Sequence, residues 1–133
     1  MVAWPAEPID NDEPSVLITD DSQSWRSVVE EVLARSGFRT RQAACGEEAI
    51  ELVRTEWIDI VLIDFHMPRL DGISATSRIR AVDPSARVIV ICGPCSHEQS
   101  REALAAGAAA CIRRPLDRHR FAEQVNAGLR DIG

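Results

Sequence analysis

Three carboxylates directly follow or end runs of apolar residues, at positions where they could act together. Asp20 and Asp21 follow the segment SVLIT, and Asp64 ends the segment IDIVLID. If these segments are strands of one parallel sheet, the three acids meet beyond its carboxyl edge. Such close carboxylates would repel one another and raise each other's pKa unless a hard cation lay among them. Mg²⁺, which prefers oxygen ligands and retains several waters, fits this group of acids.

A second candidate for chemistry is the segment VIVICGPCS, in which Cys92 and Cys95 form a Cys-x-x-Cys pair. The letters Cys-Gly-Pro-Cys match the redox motif of thioredoxins, and a helix N-terminus lowers the pKa of such a thiol. Thioredoxin-like proteins have the pair after an early strand, whereas here it follows the fourth predicted strand. We therefore expect a loop and no dithiol catalyst, and cysteines that are small buried residues or reactive thiols rather than a disulfide framework. Ligands for a metal cluster are also available from Cys92, Cys95, His97 and Cys111. A crevice at the end of a five-stranded sheet, however, already explains where these residues lie.

The elements that would position these residues alternate regularly along the chain. Helical spacing of Trp25, Val29 and Leu33 predicts a helix after the first strand, with Trp25 in the core, and Gly37 as its stop signal. Strands are predicted at SVLIT, FRTRQA, IDIVLID, RVIVIC and residues 110–113, each followed by a helix. This alternation indicates an α/β fold with a doubly wound five-stranded parallel sheet and helices on both faces.

Length and composition restrict the classes of function. The 133 residues suffice for one domain, which we predict over residues 15–131, after a flexible, acidic, proline-rich extension over residues 1–14. The extension holds four acids and no basic residue, so the net charge of −6 belongs largely to it. In the rest of the chain the numbers of acidic and basic residues are nearly equal, so we do not expect direct nucleic-acid binding. We expect a cytoplasmic protein without membrane contact, because long apolar runs and a secretory signal are both missing from the sequence.

Three segments, VLITDDS, VLIDFHMPRLDG and GAAACIRRPL, resemble the receiver domain of two-component response regulators. The resemblance runs from Ser15 to about Arg130, so the predicted domain would be a receiver domain. It implies a flavodoxin-like (βα)5 fold with strand order 2-1-3-4-5. It also implies a phosphoacceptor module of a phosphorelay, which is a switch and no enzyme beyond phosphorylation and dephosphorylation of its own aspartate.

The resemblance assigns roles to the residues at the strand ends. Asp64 would accept a phosphoryl group from the phosphohistidine of a histidine kinase or a phosphotransfer protein. Mg²⁺ would be held by Asp20, Asp21, Asp64 and the backbone carbonyl of His66. In-line phosphoryl transfer needs a nucleophilic carboxylate, a metal that neutralises oxygens and a cation on the opposite side. Arg114 would supply that cation.

Three residues depart from the family's pattern. Cys92 stands where the family has a Thr or Ser that hydrogen-bonds the phosphoryl group, and a thiol is a weak donor. Arg114, before Pro115, replaces a near-invariant Lys with a planar fork on a longer arm. Cys111 replaces the aromatic switch residue, so no large ring is present there to couple with the switch position of Cys92 in the usual way.

Two further hypotheses stay open: a degenerate receiver that binds a partner without phosphorylation, and a redox module built on Cys92 and Cys95. The sequence names neither the kinase nor the downstream protein partner, and it leaves a homodimer open.

Overall fold

The computed structural model describes residues 13–93, 95–114, 121 and 123–127. Its elements are β1 (Ser15–Thr19), α1 (Gln23–Arg35), β2 (Arg39–Ala43), α2 (Gly46–Thr55), β3 (Ile60–Asp64), α3 (Gly72–Val82), β4 (Arg87–Cys92), α4 (His97–Ala105) and β5 (Ala110–Arg113). Residues 121 and 123–127 are also helical. Nearly all of the predicted extension over residues 1–14 lies outside the described residues. Within these ranges, no helix has the length and apolar character needed to cross a membrane.

The five strands form one parallel sheet in the order β2-β1-β3-β4-β5. This confirms the predicted doubly wound sheet and its 2-1-3-4-5 order. Thr19 of β1 pairs with Ile63 of β3, and Asp64 pairs with Ile91 of β4. The carboxyl ends of β1, β3 and β4 are therefore side by side. Residues that directly follow these strands share one edge of the sheet.

The central strand β3 is buried along its whole length because helices cover both faces of the sheet. Ile60 and Leu62 contribute to one core, which α1 and the helical residues Phe121 and Val125 complete. Val61 and Ile63 contribute to the other core, which α2, α3 and α4 cover. The residues of that second core include Ala49, Val53, Ala75, Ile79 and Ala103. Full burial of one such Val or Ile side chain stabilises the fold by about 1.5–3 kcal/mol, so the strand ends rest on a rigid support.

Side-chain caps determine where three of the helices begin. Ser22 accepts a hydrogen bond from the backbone N–H of Trp25 at the start of α1, and Asp71 accepts one from Ser74 at the start of α3. Ser96 and Gln99 form a reciprocal capping box at the start of α4. Loss of such a cap costs about 1 kcal/mol. These caps therefore hold the short loops that carry the candidate site residues.

Candidate functional site

The acids predicted from the strand ends come together in the structure. Asp20, Asp21 and Asp64 each offer a carboxylate oxygen within 4.8 Å of the others. Asp20 is 3% exposed and Asp64 is 7% exposed, whereas Asp21 is exposed to solvent. Two buried carboxylates and one solvated carboxylate thus line one edge of the sheet.

Asp20 is held in place by the loop between β1 and α1. Its Oδ1 accepts a hydrogen bond of 2.8 Å from the backbone N–H of Ser22. Its backbone N–H donates to the carbonyl of Ala43 on β2, and its own carbonyl accepts from Arg26 at 2.6 Å. These hydrogen bonds therefore hold the Asp20 carboxylate and the backbone around it in place.

Asp64 is positioned by the close approach of α3 to the end of β3. The N–H of Gly72 donates to the carbonyl of Phe65 at 3.0 Å. A Cβ at Gly72 would overlap the Asp64 carbonyl oxygen and would lie 2.9 Å from the Phe65 Cα, so only glycine fits there. The backbone N–H of His66 hydrogen-bonds the Asp64 carboxylate, while the His66 side chain is exposed. A metal contact by the His66 carbonyl stays a prediction.

Burial and mutual repulsion change the electrostatics of the two buried acids. Burial, followed by the charge of Asp20, raises the pKa of Asp64 from 3.8 to about 6, although Arg114 and the His66 N–H oppose this rise. Burial also raises the pKa of Asp20, against the opposing effects of the Ser22 hydrogen bond and Arg114. The site therefore holds more negative charge than its buried surroundings stabilise, which favours binding of a cation.

Arg114 directly follows β5, and its side chain reaches this site. Its Nη2 lies 2.6 Å from Asp20 Oδ2 and 3.6 Å from Asp64 Oδ1. Its backbone N–H donates to the carbonyl of Cys92 at 2.8 Å, which ties it to the end of β4. The neighbouring Arg113 instead donates to the carbonyl of Cys95 at 3.0 Å. Of these two adjacent arginines, Arg114 is the one that contacts the acids.

Trp25 was missed as a site residue by the sequence interpretation. We predicted a core position for it, but the ring is only partly buried at the edge of the α1 core. The guanidinium carbon of Arg114 lies 4.5 Å from the ring centroid, in cation–π contact. Helical spacing correctly put Trp25 on the inner side of α1, but spacing alone cannot place it under a cation from the other end of the chain.

The cysteines differ from the sequence expectation. Cys92 is fully buried at the end of β4, and its Sγ forms a disulfide with Cys95. Both cysteines of this pair are buried, as expected, whereas the expectation of free thiols is wrong for the pair. Cys111 is a free thiol whose Sγ lies 3.5 Å from Cys92 Sγ. The two predicted switch positions, Cys92 and Cys111, are thus in direct contact. Among the described residues, Cys92, Cys95 and Cys111 form a group that could hold a metal ion, and His97 does not belong to it.

Comparisons with known proteins agree with this geometry. The sequence model of the response regulator receiver domain matches residues 16–126. The chain belongs to the response regulator receiver family. It is 31% identical to the chemotaxis protein CheY of Bacillus subtilis, over 86% of this chain and 96% of that protein. It is 33% identical to sporulation initiation phosphotransferase F of the same organism, over 77% of this chain and 82% of that protein.

Solved structures share the fold. A CheY-like receiver domain protein from Methanospirillum hungatei matches with a TM-score of 0.85 and 24% identity, over 90% of this chain and 95% of that chain. The receiver domain of the Francisella response regulator 1452 matches with a TM-score of 0.83 and 28% identity, over 91% and 100% of the two chains. The predicted family and fold are confirmed. As a member of this family, the chain is a receiver domain of two-component signalling.

Proposed function

We propose that this receiver domain is phosphorylated on Asp64 by the phosphohistidine of a histidine kinase or a phosphotransfer protein, and that it acts as a switch without turnover of a substrate. The observation that carries the proposal is the position of Asp64 at the end of the central strand. Its carboxylate shares one edge of the sheet with Asp20 and Asp21, and Arg114 lies 3.6 Å away. Asp64 is the acid of this group that ends the central strand β3.

The donor set fits Mg²⁺. Asp20, Asp21 and Asp64 present hard carboxylate oxygens within 4.8 Å of one another, and the raised pKa of Asp64 reports charge that a divalent cation would relieve. We propose that these acids hold Mg²⁺ together with the backbone carbonyl of His66. When bound, the metal supplies neutralisation of the phosphoryl oxygens and orientation of the acceptor.

The residues of the chain account for the remaining parts of the reaction. An Asp64 carboxylate oxygen attacks phosphorus, and the phosphorus–nitrogen bond to the donor imidazole breaks as the phosphorus–oxygen bond forms. The imidazole leaves with the bonding electron pair and takes up a proton from water. Arg114 stabilises the charge that spreads over the equatorial oxygens, as a cation does in phosphoryl transfer. To reach them its guanidinium must loosen its contact with Asp20.

One observation favours a degenerate receiver as the second candidate. Arg114 is already bonded to Asp20 at 2.6 Å, so one acid of the site has a cation within the chain. In such a receiver a protein partner would bind whether or not Asp64 is phosphorylated. The two candidates differ in whether Asp64 takes up a phosphoryl group at all.

The test is incubation of the reduced protein with Mg²⁺ and acetyl phosphate, followed by intact-mass measurement. We expect one added phosphoryl group in the wild type, loss of the addition when Mg²⁺ is chelated, and none in Asp64→Ala. Asp83→Ala is the matched control, because Asp83 lies in the turn before β4 at the opposite edge of the sheet. Equal labelling of the Asp64→Ala variant, or no labelling of a folded wild type, would favour the degenerate receiver.

A further inference from the structure

Three sulfur atoms meet beside the candidate phosphorylation site. The Sγ atoms of Cys92, Cys95 and Cys111 all lie within 4.8 Å of one another. The Cα atoms of Cys92 and Cys95 are 6.1 Å apart, within the range of 4.4–6.8 Å that disulfides use. Cys45, the fourth cysteine, is a free thiol outside this group. The three cysteines are called the sulfur cluster below.

The sulfur cluster is physically joined to the elements that form the site. Cys92 is the last residue of β4 and directly follows Ile91, the β-sheet partner of Asp64. The carbonyl of Cys92 accepts a hydrogen bond from the backbone N–H of Arg114, and the carbonyl of Cys95 accepts one from the guanidinium of Arg113. A covalent change in the cluster therefore acts on the loop that borders both Asp64 and Arg114.

We propose that Cys92 and Cys95 are a reversible oxidation site, whose disulfide weakens phosphorylation of Asp64. Formation of the bond does not depend on the proposed function, whereas its effect on Asp64 rests on it. The oxidant is a peroxide, a small molecule that can reach Cys95 through the 8% of this residue that stays exposed. Cys111 remains a thiol in this arrangement.

The chemistry balances with hydrogen peroxide as the oxidant. The sulfur of Cys95 attacks one peroxide oxygen, the oxygen–oxygen bond breaks, and the released hydroxide takes up the thiol proton as water. The sulfur of Cys92 then attacks the sulfenic sulfur, and the second oxygen leaves as water with the proton from Cys92. Two thiols and one peroxide thus become one disulfide and two waters. A dithiol reductant reverses the oxidation.

The bond would change the site in two ways. It removes the S–H of Cys92, which stands at the position where the family has a hydroxyl that contacts the phosphoryl group. It also closes a ring over residues 92–95, which restricts the loop between β4 and α4. Because a thiol is a weak donor, we expect its hydrogen bond to contribute as a neutral one does, about 1 kcal/mol, which corresponds to a decrease of roughly fivefold in the phosphorylated fraction.

The first measurement follows the bond alone. The folded full chain is first reduced and freed of reductant, then treated with peroxide, alkylated and mapped by mass spectrometry. We expect the wild type and Cys45→Ser each to lose two thiols, joined as Cys92–Cys95. Cys95→Ser/Cys111→Ser removes both sulfurs within reach of Cys92 and should form no internal bond. Unchanged thiol counts in the wild type, or three thiols that stay protected by a bound Zn²⁺ ion, would overturn the proposal.

The second measurement compares acetyl phosphate labelling of the reduced and oxidised forms. We expect the phosphorylated fraction to fall roughly fivefold on oxidation and to return with reductant, in the wild type and Cys45→Ser but not in Cys95→Ser/Cys111→Ser. Equal labelling of both forms, with the disulfide present, would overturn the coupling. A disulfide that forms in a chain labelled in neither form would overturn the proposed function and the coupling together, while bond formation would stand, so the two failures are distinguishable.

Discussion

The guanidinium of Arg114 donates to Asp20 at 2.6 Å while it stands 3.6 Å from Asp64. One cation is therefore shared unequally by the two buried acids of the site. A phosphoryl group on Asp64 would present new anionic oxygens to the same guanidinium, and a divalent cation would compete with it for Asp20. The contacts of the Arg114 guanidinium therefore depend on whether a phosphoryl group or a divalent cation occupies the site.

The first prediction concerns the two adjacent arginines. Arg114→Ala should lower the phosphorylated fraction of the chain by roughly tenfold or more, because it removes charge-assisted hydrogen bonds to the phosphoryl oxygens. Arg114→Lys should fall between this variant and the wild type, since it keeps the charge but loses the fork. Labelling with acetyl phosphate measures all three proteins.

Arg113→Ala is the matched control for this series. Its guanidinium bonds the Cys95 carbonyl and not the acids, so we expect a change of less than about twofold. A larger loss in Arg113→Ala than in Arg114→Ala would show that the functional cation is the other arginine.

The second prediction is a pH dependence of stability that comes from Asp64. Its pKa is about 6 in the folded chain and ordinary in the unfolded chain, so the folded state binds more protons between about pH 4 and pH 6. Stability from this group is therefore present below that window and is lost as the pH rises through it. Asp64→Asn should raise the free energy of unfolding at about pH 8 by at most about 3 kcal/mol and change it little near pH 4.

Urea unfolding in chelator-containing buffer measures this effect. Mg²⁺ should then stabilise the wild type at about pH 8 more than it stabilises Asp64→Asn, because the metal relieves the same repulsion. If Asp64→Asn were less stable than the wild type at the higher pH, the attraction of Arg114 would outweigh burial and the predicted direction of the pH dependence would be wrong.

The third prediction uses Trp25 as an internal reporter. Because the Arg114 guanidinium lies 4.5 Å from its ring, movement of Arg114 toward a phosphoryl group should change the fluorescence of the chain. The change on addition of Mg²⁺ and acetyl phosphate should be lost in Trp25→Phe. It should persist in Trp57→Phe, since Trp57 donates to Asp59 before β3, at the opposite edge of the sheet. A response that follows Trp57 would contradict the assignment.

The fourth prediction concerns the approach of α3 to the end of β3. Gly72→Ala should lower the free energy of unfolding by about 1–3 kcal/mol, because its Cβ would overlap the Asp64 carbonyl and force the backbone apart. It should also reduce labelling of Asp64. Gly93→Ala is the control, since open space surrounds the position of its Cβ. Chemical denaturation of both variants decides whether the close contact or glycine content in general is responsible.

Much of the fold and of the acid group follows from the sequence for one physical reason. An unbroken apolar run such as that of β3 suits a strand covered on both faces, and the alternation of strands with helices indicates that a parallel sheet with helices on both sides provides this cover. Once the strands are parallel, their carboxyl ends share one edge, so Asp20 and Asp64 lie at the same edge of the sheet. That they are neighbours follows from the order 2-1-3-4-5, which the resemblance to receiver domains implied. No knowledge of side-chain conformation is needed for that step.

Contacts between side chains from distant elements could not be obtained in this way. The Cys92–Cys111 contact depends on the register of β4 and β5, where Val90 pairs with Cys111. The place of Trp25 depends on Arg114, which is 89 residues further along the chain. Pattern and spacing describe one element at a time, and these contacts arise only after the elements pack.

The last prediction concerns the buried sulfur at the end of β4. Cys92→Thr should raise the phosphorylated fraction of the reduced chain by roughly fivefold, because a hydroxyl is a stronger donor to the phosphoryl oxygens than a thiol. The variant also cannot form the disulfide, so wild-type chains in which the disulfide escapes reduction would add a second cause of the gain. Cys95→Ser separates them, since it removes the Cys92–Cys95 bond and keeps the thiol at Cys92. Under reducing conditions Cys95→Ser should match the wild type, whereas Cys92→Thr should exceed both. Equal gains in the two variants would assign the effect to the disulfide, and a loss in a folded Cys92→Thr protein would show that Cys92 does not face the phosphoryl group.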